Sequence, residues 1–302
     1  MNKSTDNIKD STSGVKFTSL SRGLILWFLL LSLLPLSIVS LVGYQNASIS
    51  LTKTAVEKLE QSSNLSLRYL KNWFEYRFMD LKTQSKSDAN ITLLSRLIEG
   101  YKGSGESLAE YVKSSGWETL TKDGDADLVT FSRDYDYVYD VFLIDKNGNI
   151  FYSVLGEMDL GTNLFKGFFS DTLFSEGMKK SITTGQMTFS DLERYAPSNN
   201  MITGFLSSPM FDEAGNILGV ISIQVRIDRV LNILESDVKK DSSLVHYLVG
   251  EDGRLRTIFR GDRDEILNKE IETKQFRLWK NEHFTNHIKS GWHELGSHEE
   301  VV

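Results

Sequence analysis

Twenty consecutive residues near the start of the chain, Gly23 to Val42, carry no charge. At about 1.5 Å of rise per residue, a helix of that length spans roughly 30 Å, the thickness of a bilayer's hydrocarbon core. Its leucines, isoleucines, valines and phenylalanine together favour insertion by about 4–8 kcal/mol, which predicts a membrane span over 23–43. From Ala47 to Lys86 neither Pro nor Gly interrupts the chain, and Leu51, Ala55, Leu59, Leu70, Trp73, Phe74, Phe78 and Leu81 recur at helical spacing. That pattern predicts a long helical spine over 44–86 whose apolar stripe must be covered by later chain. A shorter helix, Asp88 to Ile98, should stop at Glu99-Gly100. A third, from about Ser107 to Leu120, should end in an acidic loop.

The texture then changes to strands. YVYDVFLIDKNGNIFYSVL reads as two strands around Asp145-Lys146-Asn147-Gly148, where Gly148 can take the positive φ of a tight hairpin. A second pair, FLSSPMFDEAGNILGVISIQV, turns at Glu213-Ala214-Gly215-Asn216. Between them lie a helical stretch, Phe169 to Ile182, and a strand ending at Asp191. This order suits an α+β fold, a mixed or antiparallel sheet with helices packed on it. A weaker copy follows, since HYLVGEDGRLRTIF repeats the strand, Asp-Gly turn, strand pattern of VFLIDKNGNIFYS. Two modules are expected, joined by a helix over Asp228 to Lys240, and the second breaks off at Val302 with its sheet unfinished.

Charge fixes the orientation of the span. Lys3, Lys9, Lys16 and Arg22 precede it, and positive residues beside a span stay cytoplasmic, so the leader 1–22 is inside and the remainder outside. A cleaved signal peptide fits less well, because the apolar stretch exceeds the usual ~7–15 residues and LVGYQNAS is a poor cleavage site. With 34 basic and 41 acidic residues the chain has a net charge of −7, and the part after the leader is more acidic still. Such a surface disfavours nucleic acid. Cysteine is absent, which removes disulfides, thiolate metal sites and thiol nucleophiles. Three sequons, at Asn46, Asn64 and Asn90, fall in helical segments and are read as chance.

The candidate chemistry is aromatic and acidic. Tyr137, Tyr139 and Asp140 at the first strand, with Tyr152, Asp191, Tyr195, Phe205 and Ser207, combine flat apolar faces, polar tips and fixed anions. That suits a small polar or cationic ligand, although tyrosines half-buried on a sheet would give the same pattern. His283 and His287 have the i, i+4 spacing of a zinc pair, but no Glu follows His283 to complete a protease motif, and a solvated polar helix explains them as well. Asp123, Asp125, Asp127 and Asp134 imitate a calcium loop with Leu128 where Gly is needed. No nucleophile elbow precedes the histidines and no phosphate-binding glycine loop is present, so neither catalysis nor a cofactor or metal is expected.

At these residues the chain resembles the double Cache sensor region of bacterial chemoreceptors and sensor histidine kinases. The stretches that carry the resemblance are YDYVYDVFLIDKNGNIFYSV followed by DLGTNL, FSDLERYAPS, and FLSSPMFDEAGNILGVISIQ, in that order after an anchor and a long helix. The resemblance implies two PAS-like modules along the spine. A membrane-distal one, 87–231, holds the ligand, and a proximal, truncated one, 232–302, relays to a second span beyond this chain. It also implies a homodimer in the bacterial cytoplasmic membrane with its sensor region periplasmic or extracellular, and a cytoplasmic output in a kinase or chemotaxis pathway. In the amino-acid-binding branch an Arg-x-Trp-Tyr motif follows the first hairpin and an Asp lies on a later strand. Asp191 matches that Asp, making it the expected anionic anchor. Asp159 to Leu164 stand where Arg, Trp and Tyr would be, so an α-carboxylate would lack its Arg, and another small metabolite is expected. The competing reading is a module that binds no small molecule and serves as a dimerising contact or docks a periplasmic binding protein.

Overall fold

The computed structural model describes residues 19–228, 231, 247–258, 262–272 and 276–277. The chain divides into two units, Met1–Leu59 and Glu60–Val302. Helix α1 is continuous over Ser19–Ser85, with Pro35 inside it, so the apolar span and the spine are one element. In the first unit the side chains of the uncharged stretch are exposed throughout, from Leu24 to Val42. This stretch is the one candidate span among the described residues, by length and composition.

The second unit begins with the buried stripe of α1, where Leu70, Phe74 and Leu81 pack with α2 (Asp88–Ser104) through Leu93, Leu94 and Leu97. Helix α2 runs beyond the predicted stop at Gly100 and ends at Gly105, whose φ of 71° supplies the left-handed cap. The predicted third helix is two. α3 (Leu108–Tyr111) opens with a capping box between Ser107 and Glu110, and α4 (Ser115–Gly124) restarts where the Ser114 hydroxyl accepts from the Trp117 amide. The expected acidic loop is instead the junction between α4 and α5 (Ala126–Asp134).

Six strands then form one antiparallel sheet: β1 (Val138–Asp145), β2 (Ile150–Ser153), β3 (Thr188–Phe189), β4 (Glu193–Tyr195), β5 (Met201–Phe211) and β6 (Ile217–Arg226). The order is β2-β1-β6-β5-β3, with β4 also paired to β5. The β1–β2 hairpin turns as expected, with Gly148 at φ 87°. The Asp145 carboxylate holds that turn by accepting from the amides of Asn147 and Asn149. Helix α6 (Leu173–Thr184) starts four residues later than predicted, because the Thr172 hydroxyl caps it by accepting from the Ser175 amide.

Strand alternation splits the sheet into two faces. Val141, Leu143, Phe151, Leu206, Ile221 and Ile223 pack on the helix side with α1 and α2. Phe142, Ile144, Phe205 and Val220 face Phe174 and Met178 of α6 and the loop residues Leu164 and Phe169. Beyond β6 the described backbone makes bridges between Val249 and Leu255 and between Arg254 and Glu270, with Gly253 at φ 84° in the Asp-Gly turn the sequence repeats. The joining helix lies largely, and all five histidines lie entirely, outside the described residues.

Candidate functional site

The face of the sheet under α6 and the loop between β2 and α6 carries polar groups where a core would be apolar. Register sets Asp140 of β1 opposite Gln224 of β6, and Gln224 opposite Phe205 of β5. The next row is Phe142, Ser222 and Ser207. Asp140, Gln224, Phe205, Ser222 and Ser207 are all buried. A register shift between Val138 and Asp140 marks a bulge at the start of β1, the kind of irregularity that re-aims a side chain.

Each polar group but one is engaged. Asp140 accepts from the Ser153 hydroxyl at 2.6 Å and from the amides of Val141 and Leu155. The Ser207 and Ser222 hydroxyls pair at 2.8 Å, and the Gln224 amide donates to Ser198 at 2.9 Å. Ser198 in turn donates to Glu157 at 2.6 Å, and Glu157 also accepts from the Tyr139 hydroxyl. Asp159, in the loop, accepts from Tyr195 at 2.7 Å through Oδ2, while its Oδ1 is enclosed without a partner. Desolvation pushes the Asp140 carboxyl up to about 7, against the lowering effect of its hydrogen bonds. Asp159 is raised for the same first reason, and burial likewise raises Glu193, whose carboxylate accepts from the amides of Leu173 and Phe174 at the start of α6.

Aromatic rings enclose this cluster. Phe174 stacks on Phe205 at 3.8 Å, and Tyr195 lies edge-on to Phe205 at 4.8 Å. The loop is fastened to the hairpin: the Ile150 amide donates to Thr162, that of Gly161 to Ile150, and that of Leu164 to Gly148. The DLGTNL stretch therefore positions Asp159 by backbone bonds to β2 and its turn.

Of the residues singled out from sequence, the structure brings together Asp140, Tyr195, Phe205 and Ser207, with Tyr139 at the margin through Glu157. Tyr137 and Tyr152 lie on the helix face. Tyr137 donates to Asp80 at 2.9 Å under the Arg77 guanidinium, and Tyr152 donates to Asp125 at 2.9 Å. For Tyr152 the reason is strand parity, since it pairs with helix-facing Leu143, whereas Tyr137 lies just before β1 and packs in the helix-side cluster. Asp191 is also elsewhere. Half exposed, at φ 57°, it is paired with Arg256. Asp159 and Gln224 complete the cluster. Neither was singled out from sequence: Asp159 opens the stretch noted only for standing where Arg, Trp and Tyr would be, and Gln224 gave no signal beyond being a polar residue within an apolar strand. A separate groove of about 310 Å³ opens between the end of α1 and α5, lined by Thr83, Gln84, Asp127 and Tyr135, and contains none of these residues.

No protein-family model matches the chain, and no curated relative matches it by sequence. Among solved structures it is similar to the ligand-binding domain of the Pseudomonas aeruginosa amino acid chemoreceptor PctC in complex with GABA. That match has 16% identity over 71% of this chain and 78% of the other, with a TM-score of 0.46. It is also similar to the ligand-binding domain of the Pseudomonas fluorescens chemoreceptor CtaA in complex with L-isoleucine (13% identity, 74% and 75% covered, TM-score 0.46). A third is the sensory domain of the Campylobacter jejuni chemoreceptor Tlp3 (12% identity, 74% and 78% covered, TM-score 0.45). In fold class this chain is α+β, a long N-terminal helix with an antiparallel sheet of six strands.

Proposed function

We propose that this chain is the anchor and extracellular sensing region of a bacterial transmembrane receptor, and that module 87–231 binds a small polar metabolite between the sheet and the loop–α6 cover. The observation that carries the reading is the buried row of Asp140, Gln224, Ser222 and Ser207 facing Asp159 and Tyr195. Burying that many polar side chains together costs stability compared with an apolar core of the same volume, and a binding site is the usual return. Asp140, Tyr139, Tyr195, Phe205 and Ser207 are the proposed contacts, with Asp159 and Gln224 added. Asp191 is assigned to joining the two modules. The rings already touch, so a ligand must part the loop from the sheet. That displacement is what biases the spine or a second span towards a kinase or chemotaxis output, because a ligand shifts only an equilibrium whose two states it binds unequally.

The test uses the whole chain in lipid nanodiscs and a thermal-shift panel of amino acids, amines, organic acids and sugars. A compound that raises the melting temperature, with the rise abolished by Asp140→Ala, supports the reading. A rise untouched by that change moves the site elsewhere. The second reading, a dimerising or protein-contact module, draws on α1, where Tyr69, Tyr76 and Met79 are exposed on the spine. A flat panel with a concentration-dependent homodimer would favour it.

A further inference from the structure

Asp159 Oδ1 is the one oxygen of the buried cluster that is sealed from solvent without a hydrogen-bond partner. The side chain is fully buried, and its other oxygen is held by Tyr195. Ionised, an enclosed carboxylate oxygen without a donor is costly, and protonated it is a hydroxyl aimed at nothing. Asp140, Glu157 and Glu193 surround the same loop and strand ends, each partnered only by hydroxyls and backbone amides. Among the described residues no Lys or Arg pairs with any of these four acids. Arg256, the buried guanidinium of this unit, is held instead by Asp191 and Asp252.

A ligand for this cluster must therefore bring the missing positive charge and donors. An ammonium group does both, and the faces of Tyr195 and Phe205 beside it are the surfaces that attract a cation while packing an alkyl or aryl remainder. A carboxylate on the same ligand would enter a space lined by acids, with Arg226 at the margin over the Tyr139 ring rather than among them. We infer that the site selects a small organic ammonium ion without a carboxylate, held by Asp159 and walled by Tyr195 and Phe205. This inference rests on the sensing reading above and names its ligand class. Burial pushes the Asp140 carboxyl up to about 7 and raises Asp159 as well, so a cation entering beside them favours release of their protons and its affinity rises with pH.

Isothermal titration of the whole chain in nanodiscs with n-butylamine, 4-aminobutyrate and butyrate separates the classes, since the three share a four-carbon chain and differ in their charged ends. The expected result is binding of n-butylamine at least about tenfold tighter than of 4-aminobutyrate, no binding of butyrate, and affinity rising from about pH 6 to about pH 8. Asp159→Asn, with its fold checked by circular dichroism, should weaken n-butylamine at least about tenfold. If 4-aminobutyrate or butyrate binds tighter in the unaltered chain, or n-butylamine binds equally to the Asn variant, the ammonium class is wrong. The sensing reading survives that result as long as some metabolite of the broader panel still needs Asp140. A chain that answers neither these probes nor the panel overturns both.

Discussion

Arg256 closes a bidentate ion pair on Asp191, with two contacts of 3.0 Å spanning 65 positions of sequence. Asp191 sits at the edge of the six-stranded sheet, between β3 and β4, and Arg256 follows the Asp-Gly turn of the repeated segment. The same guanidinium reaches Asp252 at 3.0 Å and donates to the carbonyl of Arg254. One side chain thus ties the segment after Val249 to the edge of the sheet. Asp191 is half exposed, so solvent screening keeps the pair modest despite its good geometry. Arg256→Ala should cost about 1 kcal/mol and lower the melting temperature by about 2–4 °C. Hydrogen exchange should quicken over 248–258 while the β5–β6 ladder keeps its protection. Unchanged exchange in that segment would show that the pair fastens nothing.

The buried acids predict an unusual pH profile. Asp140 has its folded-state pKa raised to about 7 by desolvation, and Asp159 is raised by the same cause. The folded state therefore binds protons that the unfolded state has already released. That contribution is present in full below the unfolded value near 4 and is lost as pH climbs through the folded value. Stability should fall between about pH 4 and about pH 7, with a slope approaching roughly 1.4 kcal/mol per unit for each proton retained, and level off above. Urea denaturation across that range checks it. In Asp140→Asn the slope should be visibly shallower, and an equal slope would remove Asp140 as its source.

Gly219 is a position where the sheet tolerates no side chain. It pairs with Asp145 on β1 and Phe211's neighbour Met210 on β5, and a Cβ built there meets the Ile144 carbonyl oxygen and a Leu94 methyl. Gly219→Ala must push β6 away from β1 or displace α2, which should cost about 1–3 kcal/mol or more. Its φ lies outside the left-handed region, so strain from the backbone itself adds nothing and the effect reports close packing. A denaturant midpoint equal to that of the parent chain would show that the sheet has slack at this point.

Much of this architecture was legible because it rests on local chemistry. The uncharged run, the unbroken 47–86 segment and the Asp-Gly and Gly-Asn turns each signal one element whatever surrounds them. The helical region between Ser107 and Asp134 was less legible, since Ser114 starts α4 and Asp125 both ends α4 and starts α5, boundaries that hydrophobic spacing does not register. Site residues were hardest where parity decides. Tyr137, Tyr139 and Asp140 stand almost together in sequence, yet Tyr137, just before β1 begins, faces the helices while Asp140 within the strand faces the loop. Asp191 was expected to be an anchor, and its partner Arg256 comes from the segment after Val249, whose contact with the sheet edge no pattern foretells.

The same chemical edit on the two faces separates structure from sensing. Tyr137→Phe removes a hydroxyl that donates to Asp80, but Asp80 keeps Arg77 beside it at 3.4 Å, so the cost should be about 1 kcal/mol. Tyr195→Phe removes the hydroxyl that donates to the buried Asp159 carboxylate, which should cost about 1–3 kcal/mol at neutral pH. The larger difference lies in the response to a stabilising metabolite from the panel. Tyr137→Phe should keep the full ligand-induced rise in melting temperature, because its ring packs against Trp73 and Tyr135 on the helix side. Tyr195→Phe should change that rise, because its hydroxyl orients the acid proposed to meet the ligand. Paired thermal melts with and without the metabolite read both effects at once. Identical ligand responses in the two variants would mean that the face beneath α6 is not where the ligand sits.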